Sequence, residues 1–98
     1  GNDEKEGVKQ LTAFQRDILY VIGKSQSPHG LAIKEKLESY YGSEVNHGRL
    51  YPNLDQLADE ELIDKGKKDD RTNVYELTDE ARSIIRQRHE WEDVDQIL

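Results

Sequence analysis

The spacing of apolar residues changes twice along this chain, and the change limits the folds open to it. Phe14, Ile18, Val21 and Ile22 recur at helical spacing, as do Leu31, Ile33, Leu37, Tyr40 and Tyr41, and then Leu50, Leu54 and Leu57. After Leu62-Ile63 the period drops to that of a strand, with a polar turn at Asp69-Asp70-Arg71-Thr72 and Tyr75 and Leu77 alternating toward one face. From Thr78 the helical period returns through Ala81, Ile84, Ile85, Arg88, Trp91, Val94 and Leu98. The order is helix, helix, helix, hairpin, long helix. A lone hairpin is marginal in water and must pack on the helices. The expected class is therefore mainly α with a small β-hairpin (α+β): a winged helix-turn-helix with a long C-terminal dimerisation helix.

Local punctuation sets the expected boundaries. Thr12-Ala13-Phe14-Gln15 fits a capping box, opening a helix over 12–24, and Ser25-Gln26-Ser27-Pro28 breaks it. A second helix is expected over 30–41, ended by Gly42, and Asn46 is placed to cap a third. Pro52 falls a turn inside that third helix, where it removes one intrahelical bond and is expected to bend the early turns. Strands are expected over 62–68 and 73–77. Thr78, followed by Asp79 and Glu80, starts a last helix expected to reach residue 98. Polar, aperiodic residues 1–10 read as a mobile arm, 11–77 as the winged domain and 78–98 as the dimerisation helix.

At 98 residues, with 34% hydrophobic and 36% charged, the chain has material for one modest core, and a second subunit would add shared burial. The absence of cysteine excludes disulfides, thiolate nucleophiles, thiol sensing and Cys-rich zinc sites. His29, His47 and His89 do not stand at ligand spacing, so neither a metal nor a cofactor is expected. No apolar run approaches a membrane span, and the opening Gly1-Asn2-Asp3-Glu4-Lys5-Glu6 is too polar for a signal peptide. Gly1 in place of an initiator Met reads as a processed or engineered end, and a cytoplasmic protein is expected. Paired carboxylates at Glu60-Glu61 and Asp69-Asp70 fall on a helix end and a turn, where water screens them. With no phosphate loop, dinucleotide fingerprint or nucleophile triad either, the chain is not expected to be an enzyme.

The net charge of −7 speaks against a nucleic-acid binder, which usually carries a basic field. The charge is uneven, however. Residues 46–54 contain Arg49 and no acid, and 65–71 carry Lys65, Lys67, Lys68 and Arg71 against Asp69 and Asp70. The 21 acids, with neither Cys nor Met, match the composition of proteins that stay hydrated at molar salt, the alternative being an ordinary acidic bacterial or archaeal protein.

Candidate DNA-binding residues follow from this distribution. The start of the third helix supplies Asn46, His47, Gly48, Arg49, Asn53 and Gln56: a positive helix terminus, a glycine allowing close approach, and a guanidinium fork that matches two acceptors on guanine. The hairpin supplies Lys65, Lys67, Lys68 and Arg71 for adjacent phosphates or the minor groove, although Lys also guards strand edges against pairing. Lys67 and Lys68 should point to opposite faces in a regular strand. Along the last helix Ile84, Ile85, Arg88, Trp91, Val94 and Leu98 form a stripe longer than a small domain can cover, so they are the candidate dimer interface; the alternatives are packing on the chain's own first helix or a frayed end.

Pro28-His29-Gly30-Leu31-Ala32-Ile33, His47-Gly48-Arg49-Leu50-Tyr51-Pro52-Asn53-Leu54, Leu62-Ile63 and Tyr75-Glu76-Leu77-Thr78 resemble the PadR family of winged-helix transcriptional regulators, over about Leu11 to Arg88. With its acidic bias the chain is similar to the haloarchaeal members, including the type named for the reactive-oxygen-species response. The resemblance implies a dimer joined through the C-terminal helices, a third helix offered to the major groove, and wings over the flanking backbone. It departs from the family at Glu61, where a Gly usually ends the third helix, at Leu31 for a common Tyr, at Ala81 for a common Gly, and at Asp69-Asp70 in a wing that is otherwise basic. The expected function is a homodimeric regulator on a pseudo-palindromic double-stranded DNA site, repressing by occlusion, with monovalent cations bridging carboxylates to DNA at high salt. The rival is a winged-helix protein-interaction module that does not touch DNA.

Overall fold

The computed structural model describes residues 11–98, so the arm expected over 1–10 lies outside the described residues. Helix α1 is Ala13–Lys24, and its start is the reciprocal cap the sequence suggests: Gln15 N donates to Thr12 Oγ1 at 3.0 Å, and Thr12 N donates to Gln15 Oε1 at 3.1 Å. Its buried face carries Phe14, Ile18, Leu19 and Ile22. Helix α2, Gly30–Tyr41, ends on Gly42 in the left-handed region at φ 72°. The turn to α3, His47–Asp59, is tied by Glu38, whose Oε2 accepts from Val45 N at 2.9 Å and from Lys34 Nζ at 2.8 Å. Those two bonds hold the Glu38 carboxyl below its ordinary pKa, the lysine bond contributing most. Helix α3 runs unbroken through Pro52.

The end of α3 is closed by two bonds, Glu61 N to Ala58 O at 3.0 Å and Leu62 N to Leu57 O at 2.9 Å. This is a Schellman motif, in which Glu61 takes the left-handed position at φ 61° that a glycine usually fills. Buried Leu62 then leads into β1, Ile63–Asp69, which pairs antiparallel with β2, Thr72–Leu77, in the register Ile63↔Leu77 through Lys67↔Asn73. The hairpin is anchored on its open side as well: Tyr75 N donates to Pro28 O at 3.0 Å, and His29 bridges Val74. Helix α4, Asp79–Glu92, starts on Thr78, which caps Ala81 N at 3.2 Å.

The last helix is shorter than the sequence suggests. It stops at Glu92; Asp93 turns left-handed at φ 34°, and only a 3-10 turn, Val94–Gln96, follows. The apolar period continues through Val94 and Leu98, but Glu90, Glu92, Asp93 and Asp95 crowd the negative end of the helix dipole, and His89 is the only basic residue of the last turn. One core joins all elements: Leu11, Phe14, Ile18, Leu19 and Ile22 meet Ile33, Leu37, Leu50, Leu54 and Leu57 from the helices, Ile63, Tyr75 and Leu77 from the hairpin, and Ala81 and Ile84 from α4. Among the described residues no helix is long and apolar enough to cross a membrane.

Candidate nucleic-acid interface

Helix α3 is held by Leu50, Leu54 and Leu57, all fully buried, which turns its opening and its opposite face to solvent. Asn46 is the N-cap: its Oδ1 accepts from Gly48 N at 2.6 Å, and its carbonyl accepts from Arg49 N at 3.0 Å. These two amides are thus engaged within the cap and are not free for an anion, as the opening of a helix might otherwise leave them. A Cβ on Gly48 would stand 3.0 Å from that same Asn46 oxygen, so the glycine serves the cap as well as leaving the surface low. His47 stacks on Tyr51 with ring centroids 5.7 Å apart and planes at 3°. Tyr51 in turn lies so close to α2 that a Cβ on Gly30 would meet its hydroxyl at 2.5 Å, which is why α2 begins with a glycine.

The polar residues of α3 do not share one outward face. Stepping about 100° per residue from the buried leucines, the centre of the solvent side falls to Gly48, Pro52, Asp55 and Asp59. Arg49 and Asn53 flank it on the side of α1. The Arg49 Cζ lies 3.9 Å from the centroid of the Phe14 ring, a cation–π contact that leaves the side chain exposed. Asn53 is tied twice, accepting from Gln15 Nε2 at 3.0 Å and donating from Nδ2 to Arg49 O at 2.7 Å. Gln56 donates to Glu60 Oε1 at 3.3 Å. Phe14 also stacks on Tyr41, centroids 6.3 Å apart, and the Tyr41 hydroxyl donates to Asp17. Burial, followed by that bond to a carboxylate, pushes the Tyr41 phenol up to about 12.

The hairpin sorts its basic residues by register. Lys65 stands opposite Tyr75 and Lys67 opposite Asn73, so both project on the face that packs toward α3. The Lys65 Nζ lies 3.7 Å from Asp55 Oδ1, joining wing to helix. The register slips between Lys67 and Asp69, which places Lys68 at the irregularity. At the tip, Asp69 Oδ1 accepts from Arg71 N at 2.9 Å, and this bond lowers the Asp69 pKa. One of the two wing-tip acids is thereby accounted for as a turn former.

The candidate dimer stripe divides. Ile84, 5% exposed, belongs to the chain's own core and is not available to a second copy, which corrects its assignment to the interface. Ile85 is half-buried against the same core. The helical periodicity placed Ile84 on one stripe with Trp91, but the domain covers only part of it: Arg88 and Glu92 still lie near Tyr20 of α1, while the Trp91 ring turns to solvent. Trp91 is 75% exposed, Val94 47% and Leu98 98%. Ile97, which the helical stripe omits, is exposed as well. Arg88 lies with its Cζ 4.8 Å over the Trp91 ring and its Nε 3.7 Å from Glu92.

Sequence reasoning missed Phe14, Gln15 and Asp55 as partners of the interface. Gln15 carried a signal: at about 100° per residue it lies inside the arc of Phe14, Ile18, Leu19 and Ile22, and a polar group on a buried arc requires a partner. Among the described residues, no group of three or more His, Asp or Glu could hold a metal ion.

Comparison with known proteins bears on this geometry. The chain matches the transcriptional regulator PadR-like family over residues 18–87. It is similar to the haloarchaeal regulator RosR of H. salinarum in crystals grown from NaBr, at 49% identity over 91% of this chain and 79% of that one, with a TM-score of 0.83. A second RosR structure, described as a complex, matches at 47% identity over 95% of this chain and 79% of that one, with a TM-score of 0.87. A MarR mutant from E. coli, complexed with operator DNA, shares the fold at 24% identity over 89% of this chain and 59% of that one, with a TM-score of 0.75. No curated protein matches.

Proposed function

Because this chain belongs to the transcriptional regulator PadR-like family, we propose that it is a sequence-specific DNA-binding regulator and not an enzyme, acting in the cytoplasm as a homodimer on a pseudo-palindromic duplex site. The observation that carries the reading is the Arg49 fork. Among the described residues its guanidinium has neither an ion-pair nor a hydrogen-bond partner. Arg16 and Arg82 donate to Leu11 O and Leu77 O, and Arg88 lies against Glu92. The Arg71 and Arg86 guanidinium groups are likewise unpaired among the described residues, but they stand at the wing tip and on α4, away from the α3 opening. An unspent, exposed guanidinium beside the acid-free opening of α3 can bridge the O6 and N7 acceptors of guanine. Lys65, Lys67, Lys68 and Arg71 supply contacts to the flanking backbone. Two copies joined through Trp91, Val94 and Leu98 present paired α3 openings about one DNA turn apart. Occlusion of a promoter makes the regulator a repressor.

The acidic outward face of α3 bears on the conditions of binding. Asp55 and Asp59 stand where DNA would approach; Asp55 has Lys65 beside it, so it is at Asp59 that a monovalent cation bridges carboxylate to phosphate, and the complex is suited to high salt, where counterion release contributes little. The test is selection from a random duplex pool at several potassium chloride concentrations, followed by titration of the selected duplex. Arg49→Ala is expected to lose roughly 1–3 kcal/mol and to relax preference at one base position. Binding unchanged by that substitution sinks the assignment of Arg49. Failure to retain any duplex leaves the protein-interaction module as the reading, and a steep loss of affinity toward molar salt refutes the cation-bridged interface.

A further inference from the structure

We infer that the first turn of α1 is a positioning platform for base readout: the ring of Phe14 and the amide of Gln15 hold Arg49 and Asn53 in the orientation from which Arg49 reaches DNA. The proposal rests on the DNA-reading function above. Phe14 and Gln15 are consecutive, and Arg49 and Asn53 are one helical turn apart, so the two pairs meet along one seam. Phe14 is itself immobilised, 5% exposed and stacked on Tyr41. Gln15, 4% exposed, is the one buried polar side chain among the described residues, and both ends of its amide are used. Its oxygen accepts from Thr12 N and its nitrogen donates to Asn53, so one side chain starts α1 and grips α3. Asn53 then bonds the Arg49 carbonyl, which ties down the backbone from which the Arg49 side chain departs.

The chemistry of the contact suits a reader of bases. A guanidinium is planar, and its donors lie in that plane. An aromatic ring attracts it without occupying a hydrogen-bond donor, whereas a carboxylate would engage the same fork that guanine needs. Arg49 is therefore ordered before DNA arrives and keeps its donors, so less side-chain freedom is lost on binding. Neither Phe14 nor Gln15 has to touch DNA for this effect.

The experiment is a double-mutant cycle on the full chain, read by base-preference profiles from a random duplex pool and by affinity for one selected duplex. Phe14→Leu keeps an apolar side chain in the buried site and removes the ring. It is expected to weaken binding of the selected duplex about two- to fivefold, the effect of a cation–π contact at an exposed site, and to flatten preference at the same base position as Arg49→Ala. In the Arg49→Ala background, Phe14→Leu is expected to add nothing. Phe14→Tyr, which retains the ring, is expected to retain the preference. Should Phe14→Leu fail to fold, Phe14→Met takes its place with the same readouts, since Met adapts to irregular buried sites. An equal loss with and without Arg49, or a weaker complex with an unchanged base profile, overturns the proposal and leaves Phe14 a core residue only. If the wild-type chain retains no duplex, the DNA-reading function itself fails, and this proposal fails with it.

Discussion

Glu61 places a side chain where the backbone favours none, and replacing it with glycine should stabilise the protein. Its φ of 61° lies in the left-handed region, which costs a residue with a Cβ about 1–2 kcal/mol. The closing bonds from Glu61 N and Leu62 N fix it there, because relaxing the angle would release the carbonyls of Ala58 and Leu57. Glycine removes the strain but gives up more conformational freedom on folding, about 0.5–1 kcal/mol. A second gain comes from charge: Glu61 follows Asp59 and Glu60 at the negative end of α3, and removing one carboxylate there contributes about 0.3–1 kcal/mol at low salt. The net expectation for Glu61→Gly is about 1 kcal/mol, which in a domain of this size raises Tm by about 4–8 °C. Urea unfolding at one fixed protein concentration, in low and in high salt, measures it, with the slope m unchanged. Glu61→Ala keeps the Cβ and removes only the charge, so its gain should be smaller and should vanish in high salt. Equal gains for Gly and Ala at both salt concentrations would refute the backbone argument.

Two other expectations follow from the same geometry. Tyr41 has its phenol raised from 10.0 to about 12 in the fold; the stability this confers is complete below pH 10 and is lost as pH rises toward 12, because the unfolded chain releases the proton first. Tyr41→Phe should therefore show a shallower alkaline decline in urea midpoint than wild type, and an unchanged decline means that neither burial nor the Asp17 bond raises this phenol in solution. Trp91→Glu should give monomers by sedimentation with much weaker duplex binding, since Trp91 is exposed in the single chain and its loss leaves the core intact; dimers that persist place the interface elsewhere.

The features legible in the sequence were those decided within a few residues. Thr12 with Gln15, Asn46 with Gly48, and Thr78 with Ala81 are caps whose partners lie on the next turn, and each forms as the residue types imply. The hairpin was legible because Tyr75 and Leu77 alternate around a turn that Asp69 closes. Glu61 stood out as a departure, and its positive φ gives that departure a physical meaning. Contacts between distant segments were not legible. Gln15 and Asn53 meet across 38 residues, and nothing in either neighbourhood names the other. The stripe from Ala81 to Leu98 was correctly periodic but silent on which part the domain keeps: Ile84 turns inward, while the acids around Asp93 end the helix before Val94.

Thr78 sits between Leu77, the last residue of the hairpin, and Asp79, the first of α4, and its hydroxyl lies within bonding distance of the carbonyls of Glu61 and Leu62. No loop separates tail from wing, so the joint has no slack. A lever of 14 residues extends about 21 Å from this pivot. Tilting it by about 10° swings its far end by roughly 4 Å, given that rise per residue. Ala81 and Ile84 pack the same helix on the core, so in the proposed dimer this joint and that packing together set how far apart the two α3 openings are carried.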